Sequence, residues 1–422
     1  MAEKSVTASR PRRFGIGRIL TWLLAVACFG VVALLVLRIA MQFVVPAPLS
    51  RLQLLQEVQL PGIAISQNGQ PLSQSIHNDR FDFQALDPQT GLLFSAHDGP
   101  SANKLPFTLA ELPAGTVIRP SIVVFDTRQN KYVASINGPN VHGIAVAPNI
   151  QKVYAAGFND SLIYVIDERA CQAAIQAGQN TCSVLKQIKA SQNPDGLEYD
   201  PDHHEVFVSE PGSATPSNGV IDVIDTQTDS IIKTIKIGVD VGHIRYDSTL
   251  KRVFVVSVTP TSSGAFSGAL VSIDPLTRIV TAHIPLPSAC NIAHGMAIDE
   301  SQQVAFVACI DSRNVAMVDL QAGKAIGDPN HLLPLAFKAD IVAIDRNLHV
   351  LFVGCNTAIS VFDESKASSG VLTKYGDYVV SANNSSHSIA VDESTHNIYV
   401  PITDAGSRPA MAIEHYDPNG TA

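Results

Sequence analysis

Histidine or aspartate recurs in this sequence directly before a short apolar run. In the segment "AHGMAIDESQQVAFVACI", residues 293–310, His294 and a glycine precede one apolar run, a polar turn follows, and a second apolar run ends close to a cysteine. Imidazole and carboxylate groups bind Zn²⁺, Mn²⁺ and similar ions, and imidazole is a common general base. Aligned copies of the segment place a polar side chain at the same point, one residue later after Gly242: Asp82, His142, Asp195, His243, His294, Asp340 and His387.

Two interpretations of these seven polar side chains are open. In the first, they form a turn and water network that satisfies backbone donors and links neighbouring repeat units. In the second, three or four of them converge on a divalent metal ion or an anionic small molecule. Sevenfold placement around a ring predicts that most pairs lie too far apart to share one ligand, which favours the first interpretation.

Cysteines supply a second candidate for chemistry. The second apolar runs end at aligned positions, where Cys309 and Cys355 occupy equivalent places in adjacent copies. Together with His294 and Asp340 they would form a metal or redox site. The favoured alternative is that Cys309 pairs with Cys290, and that Cys355 is a small buried apolar residue.

The elements that position these residues are short strands. After residue 75 there is no helical periodicity of any length, and apolar runs of strand length alternate with turn residues. Each copy continues with a third run ending in Asp, as in "VIDVIDTQT" from Val220, and usually a fourth, as in "SIIKTIKIG" from Ser230. Four strands, A to D, cannot bury both faces of their sheet alone, so the copies must stack radially. The sequence predicts an all-β, seven-bladed β-propeller over residues 52–418.

The two ends of the repeat region predict how the ring closes. The last copy has A, B and C strands and then the chain ends, so its D strand is missing. The segment "LLQEVQLPG" from Leu54 resembles a D strand and precedes the first copy. We expect this N-terminal strand to complete the last blade.

The N-terminus predicts a membrane segment. Residues 1–18 form a basic tail, and residues 19–37 carry no charge and would span about 28 Å as a helix. We predict a transmembrane signal-anchor at 19–45, with the tail cytoplasmic and the propeller exported. A cleaved signal peptide is the weaker alternative. In an exported chain disulfides are permitted, and Cys171–Cys182 and Cys290–Cys309 are the candidate pairs, with Cys355 left as a thiol.

The repeats resemble those of YVTN-type seven-bladed β-propellers, which are related to the lactonase-like group. The resemblance rests on the "(H/D)-G-h-x-h-D" start, the "hYV" or "hFV" second strand and the "V-h-D-x-x-T" third strand, over roughly residues 52–418. The tetrapeptide YVTN itself is absent, and its places read "VYAA", "VFVS" and "IYVP". The resemblance implies the propeller fold but no single chemistry.

Two functional hypotheses are consistent with these sequence features. The net charge of −9 disfavours nucleic acid as a partner, and no P-loop, dinucleotide-binding or nucleophile-elbow motif is present. We expect a binding scaffold that engages a protein, glycan or small molecule through its channel-mouth face, on which the A strands start. Long B–C loops from Ser209 and Val258 enlarge that face. The alternative is a lactonase- or lyase-like enzyme that uses channel His and Asp residues to hold a divalent metal.

Overall fold

The computed structural model describes most of the chain after residue 49: residues 50–62, 64–65, 80–98, 117–212, 218–261, 266–330, 332–380, 388–403 and 408–420. The tail predicted at 1–18, the anchor predicted at 19–45 and His387 lie outside these ranges. Across the described ranges, every helix is too short or too polar to cross a bilayer.

Seven antiparallel sheets, each with four main strands in the order A to D, make up the fold of the described residues. Blade 1 consists of β3 (Arg80–Asp87), β4 (Leu92–Asp98), β6 (Ser121–Asp126) and β7 (Lys131–Asn137). Blade 2 consists of β8 (Ile144–Ala147), β9 (Lys152–Gly157), β10 (Leu162–Asp167) and β11 (Val184–Lys189). Blade 3 consists of β12 (Leu197–Asp200), β13 (Glu205–Glu210), β14 (Val220–Asp225) and β15 (Ser230–Lys236).

The following blades repeat this order. Blade 4 consists of β16 (Asp240–Asp247), β17 (Arg252–Pro260), β18 (Phe266–Asp274) and β19 (Ile279–Pro285). Blade 5 consists of β20 (Ala293–Asp299), β21 (Val304–Cys309), β22 (Asn314–Asp319) and β23 (Lys324–Ile326), with β24 (Leu333–Pro334) also paired to β22. Blade 6 consists of β25 (Ala339–Asp345), β26 (Val350–Cys355), β27 (Ala358–Asp363) and β28 (Thr373–Val379).

Blade 7 joins the two ends of the described chain. Its A, B and C strands are β29 (Ala390–Asp392), β30 (Asn397–Ile402) and β31 (Ala410–Tyr416), and its D position is filled by β1 (Leu52–Gln59). Strand β1 runs antiparallel to β31, from Leu52 opposite Tyr416 to Gln59 opposite Ala410. Opening the ring therefore requires the hydrogen bonds between β1 and β31 to be broken, in addition to the separation of packed blade faces. A separate two-stranded sheet pairs β2 (Ala64–Ile65) with β5 (Val117–Ile118).

The core lies between blades, which explains the nearly continuous apolar runs. Strands β13 and β21 are buried at every position. The hydrophobic clusters each contain residues of neighbouring blades: Phe94 of blade 1 clusters with Tyr164 of blade 2, and Phe306 of blade 5 with Phe362 of blade 6. Burial on both faces of a blade removes the alternation that a half-exposed strand would show.

Aspartates at the ends of A and C strands form the turns. Asp299 Oδ1 accepts backbone hydrogen bonds from Ser301 (2.8 Å) and Gln302 (3.2 Å), and Gln303 then takes a left-handed φ of 55°. Such a side chain mimics a backbone turn and fixes the reversal between two strands. Because the A–B and C–D turns lie opposite the channel-mouth face, we call their side the turn face.

One helix interrupts the strands, although the sequence after residue 75 shows no helical periodicity. Helix α1 (Glu168–Gln176) follows the C strand of blade 2, and Asp167 caps it by accepting from the Ala170 amide at 2.9 Å. At nine residues it is too short to leave a clear periodic signal. Two short 3₁₀ turns, Pro148–Ile150 and Ala367–Ser369, are the other helical segments of the described residues.

Candidate functional site at the channel axis

Six of the seven predicted polar side chains come together at the channel-mouth face, and the seventh, His387, lies outside the described residues. His142 Nδ1 lies 3.6 Å from Asp195 Oδ1, and His294 Nε2 lies 4.0 Å from the other oxygen of Asp195. These contacts link blades 2, 3 and 5. Contacts of this length join only some of the pairs, which leaves both interpretations of the polar side chains open. We call the set the axial cluster: Arg80, Asp82, Asp98, His142, Asp195, His243, His294 and Asp340.

Glycines after the polar residue allow this convergence. A Cβ on Gly143 would lie 1.8 Å from the carbonyl oxygen of Asp195, and one on Gly295 would lie 1.6 Å from that of Asp340. Each glycine thus faces the backbone of the next blade at a distance that no side chain permits. The "HG" pattern of blades 2 and 5 reflects this packing between blades.

Arg80 holds one half of the axial cluster. Its guanidinium donates to Asp82 Oδ2 at 2.8 Å and to Asp98 Oδ2 at 2.9 Å, and its Nη2 lies 3.4 Å from His142 Nε2. The His142 ring stacks on Phe158 with centroids 4.8 Å apart. Neither Arg80 nor Asp98 was predicted, since both fall beside the repeated motif rather than within it.

The charges in this half shift two pKa values. Burial raises the pKa of Asp98 to about 6, against the opposing effect of Arg80. Burial also disfavours the charged form of His142, but Asp195, Asp82 and Asp98 outweigh it and raise the His142 pKa above its usual value. Burial and neighbouring charges act in opposite directions on each group.

His294 and Asp340 form the tightest pair in the other half. His294 Nδ1 lies 2.6 Å from Asp340 Oδ1. Burial opposes the charge on His294, but the charge and hydrogen bond of Asp340, with Asp195 and Asp82, raise its pKa to about 10. His294 is therefore an imidazolium at neutral pH and has no free lone pair for a metal or a proton in that state.

His243 has the opposite protonation state. It is fully buried, its ring centroid lies 5.1 Å from that of His294, and Phe83 contacts its ring. Burial and the positive charge of His294 hold its pKa well below the usual value. The Met296 amide donates to His243 Nδ1 at 3.2 Å, which leaves the proton of the neutral ring on Nε2. That Nε2 has no hydrogen-bond partner among the described residues and lies 3.7 Å from Asp340 Oδ1.

Ligand atoms for a metal ion lie within 4.8 Å of one another in three groups of the described residues: His243, His294 and Asp340; Asp82, Asp98 and His142; and Asp299, His349 and Glu364. In the second group the Arg80 guanidinium already bridges the two carboxylates. The third lies at the turn face, where Gln302 Nε2 donates to both carboxylates. The first would need His243 Nε2 without its proton, contrary to the Met296 hydrogen bond.

The cysteines do not form the metal or redox site considered from the sequence. Cys309 forms a disulfide with Cys290, so it has no thiolate to offer. Cys171 and Cys182 form a second disulfide, which ties helix α1 to the segment before β11. Cys355 is a buried thiol whose pKa is raised by burial.

These sheets and their closure define the class of the protein as a seven-bladed β-propeller. No protein-family model matches the sequence, and no curated protein is significantly similar to it.

Solved structures share the fold at low sequence identity. A chain of hydrazine synthase from Kuenenia stuttgartiensis is 14% identical over 77% of this chain and 92% of its own, with a TM-score of 0.57. A chain of the mitotic checkpoint complex is 10% identical over 88% and 94%, with a TM-score of 0.58. A functionally unknown protein from Desulfotomaculum acetoxidans is 13% identical over 67% and 86%, with a TM-score of 0.52. At these identities the similarity establishes the fold alone.

Proposed function

We propose that this protein is a membrane-anchored, exported propeller of the YVTN repeat type that docks a protein partner on its channel-mouth face. The partner presents a basic side chain to the axial cluster. Residues 19–45 hold the chain in the membrane, and the propeller faces the extracytoplasmic side. The apolar, charge-free stretch at 19–37 and the basic residues before it support the anchor and its orientation.

The charge balance of the axial cluster carries this proposal. Four aspartates face one permanently charged cation, Arg80, and the remaining positive charge comes from histidines. Asp98 keeps one buried oxygen, Oδ1, without a hydrogen-bond partner among the described residues. A buried carboxylate oxygen without a donor is costly, so the negative charge of Asp98 is incompletely compensated within the cluster and favours an ammonium or guanidinium group of a partner at the channel mouth.

A protein is favoured over a small cation because the described B strands of all seven blades end, and their C strands start, on this face. A face built from every blade has a span that a macromolecule would cover. Propellers commonly present such a face to other proteins, and one structural neighbour is itself part of the mitotic checkpoint complex.

Photo-crosslinking in the host membrane tests the proposal. p-Benzoylphenylalanine at position 158 replaces Phe158, which is half-buried beside His142 on the channel-mouth face. The matched control places it at Leu276, which is 69% exposed in a C–D turn on the turn face. We expect a discrete crosslinked protein from position 158 only. Equal labelling from both positions, or none from position 158, would contradict the proposal.

A metal-dependent enzyme is the second candidate function, favoured by the grouping of His243, His294 and Asp340. Its chemistry would be Lewis-acid activation of a carbonyl or of water. Metal loading would have to displace the proton shared by His294 and Asp340 and reverse the tautomer of His243. Elemental analysis of protein purified without chelators decides this, since near-stoichiometric metal that is lost in the His294→Ala chain would support the enzyme over the docking module.

A further inference from the structure

The central channel contains a cavity of about 340 Å³ beyond the axial cluster. It extends from Phe83, which contacts His243, to Glu300 and Arg346 beside the A–B turns. The volume falls in the range of small-molecule sites. Its walls are the A strands, whose exposed surface in the cavity is mostly polar, and its smaller apolar part comes from residues such as Leu86, Ile144, Val146, Ile298 and Ile344.

One position of the A strand keeps the cavity open. The residue three places after the aligned start of each copy, which is Gly242 in blade 4, lines the cavity in every blade. It is alanine in five of them: Ala85, Ala145, Ala297, Ala343 and Ala390. Blades 3 and 4 depart from this pattern, with Glu198 and Arg245 at the same position. Because five blades form with alanine at this position, the fold does not require the carboxylate and the guanidinium that two adjacent blades have there.

The Glu198–Arg245 pair is loose. Arg245 Nη1 lies 3.4 Å from Glu198 Oε2, and the same nitrogen donates to the Ile244 carbonyl at 2.8 Å. Both side chains stay accessible from the cavity, at 28% and 24% exposure. By contrast, Arg346 and Glu300 at the cavity edge are closely bonded to Glu393 and Ser248.

Burial in the channel disfavours the charged form of the Glu198 carboxyl group. Burial in the channel raises the pKa of Glu198 to about 7, even with Arg245 and Arg346 nearby. A buried charge pair with poor geometry does not stabilise a fold. Two opposite charges side by side in this channel instead match a ligand that carries both charges at one end.

We propose that this cavity binds a small zwitterion with an aliphatic body, of the α-amino-acid class. Its carboxylate pairs with Arg245, its ammonium pairs with Glu198, and its aliphatic part lies against the isoleucine and valine side chains of the A strands. The site is separate from the axial cluster and does not depend on the docking function proposed above.

Calorimetric titration of the full-length chain in detergent tests this site. The probes are L-leucine and two analogues with the same aliphatic body and a single charge, isoamylamine and 4-methylpentanoate. We expect L-leucine to bind and each analogue to bind at least about tenfold more weakly, the effect of losing one charge-assisted hydrogen bond. No binding of L-leucine at millimolar concentration, or equal binding of an analogue, would overturn the proposal.

Variants locate the binding. The double change Glu198→Ala and Arg245→Ala installs the residue of the other five blades, so we expect a folded chain that no longer binds L-leucine. Glu198→Gln keeps the shape of the side chain and should weaken binding at least about tenfold, which keeps the test valid if the double variant fails to fold. Lys251→Gln, on an exposed pair with Asp202 at the turn face, is the control and should bind as the parent does. Unchanged binding in the Glu198 variants would refute the site.

Discussion

At the residue scale, two histidines of the axial cluster illustrate how neighbours set protonation. Their ring centroids are 5.1 Å apart, yet His294 has a pKa of about 10 while the pKa of His243 lies well below its usual value. Asp340 contacts Nδ1 of His294 at 2.6 Å, whereas a backbone amide occupies Nδ1 of His243. Sequence alone assigned both residues the same role, because the alignment of repeats contains no information about which side chain gains the carboxylate.

The His294–Asp340 pair predicts how stability depends on pH. The folded pKa of about 10 exceeds the ordinary histidine pKa of 6.5, so the stabilisation is complete below about pH 6.5 and is lost as pH rises through about 10. Asp340→Asn should lower the free energy of unfolding by about 2 kcal/mol near neutral pH and abolish most of the loss seen in the parent chain toward pH 10.

Thermal denaturation midpoints at a series of pH values check this prediction. His283→Gln, at an exposed histidine of blade 4, is the matched control and should leave the pH profile unchanged. A parent profile that is flat between neutral pH and pH 10, or an Asp340→Asn profile that parallels it, would show that the pair is not an ion pair in solution.

The composition of the axial cluster could be predicted only in part. The repeat identified Asp82, His142, Asp195, His294 and Asp340 as channel residues, and the structure brings them together. Arg80 and Asp98 were missed because they are the first residue of β3 and the last residue of β4 and do not recur in other blades. Convergence stayed one of two open interpretations because the spacing of repeats along the chain does not reveal how near the axis each A strand begins.

At the element scale, the contact between adjacent A strands depends on glycine. Gly295→Ala places a methyl group 1.6 Å from the carbonyl oxygen of Asp340, which must force blades 5 and 6 apart. We expect it to lower the free energy of unfolding by about 3 kcal/mol or more. Gly242→Ala is the matched control, because its nearest neighbour would be a His294 ring atom at 3.2 Å, and it should cost less than about 1 kcal/mol.

Chemical denaturation of both variants measures the difference. Similar stability of the two chains would mean that the blades of the folded protein pack less closely at the axis than described. The result bears directly on the site, since the same glycine contact brings His294 next to Asp340.

Strands were more predictable than the helix for a physical reason. Burial on both faces gives the B and C strands apolar runs, and turn aspartates at the ends of A and C strands recur in most copies. Helix α1 occurs once and has nine residues. Asp167 caps its N-terminus, and the Cys171–Cys182 disulfide joins it to the segment that follows. An element that depends on a cap and a covalent link leaves little trace in periodicity.

At the scale of the whole molecule, ring closure follows from the incomplete last repeat. Strand β1 supplies the fourth strand of blade 7, and Arg51 lies over the Tyr375 ring at 4.0 Å. The number of repeats predicted the number of blades because each blade needs two neighbours to cover its faces. Function was less predictable, since it depends on a few departures from the repeat, such as Glu198 and Arg245.

The proposed export of the propeller predicts the state of the six cysteines of the chain. With Cys171–Cys182 and Cys290–Cys309 formed, a chain extracted from host membranes and unfolded without reductant should expose two reactive thiols, Cys28 and Cys355. Thiol titration before and after reduction provides the count. Six reactive thiols before reduction would place the propeller in a reducing compartment and contradict export.

The most direct test of the docking function is the yield of the position-158 crosslink in a chain that also carries Asp98→Asn. This change removes the charge from the carboxylate whose buried Oδ1 lacks a donor. We predict at least about a tenfold fall in yield, the effect of losing one charged hydrogen bond, with no change for Asp202→Asn on the turn face. Equal yields in the Asp98→Asn and parent chains would contradict recognition of a basic side chain at the axial cluster.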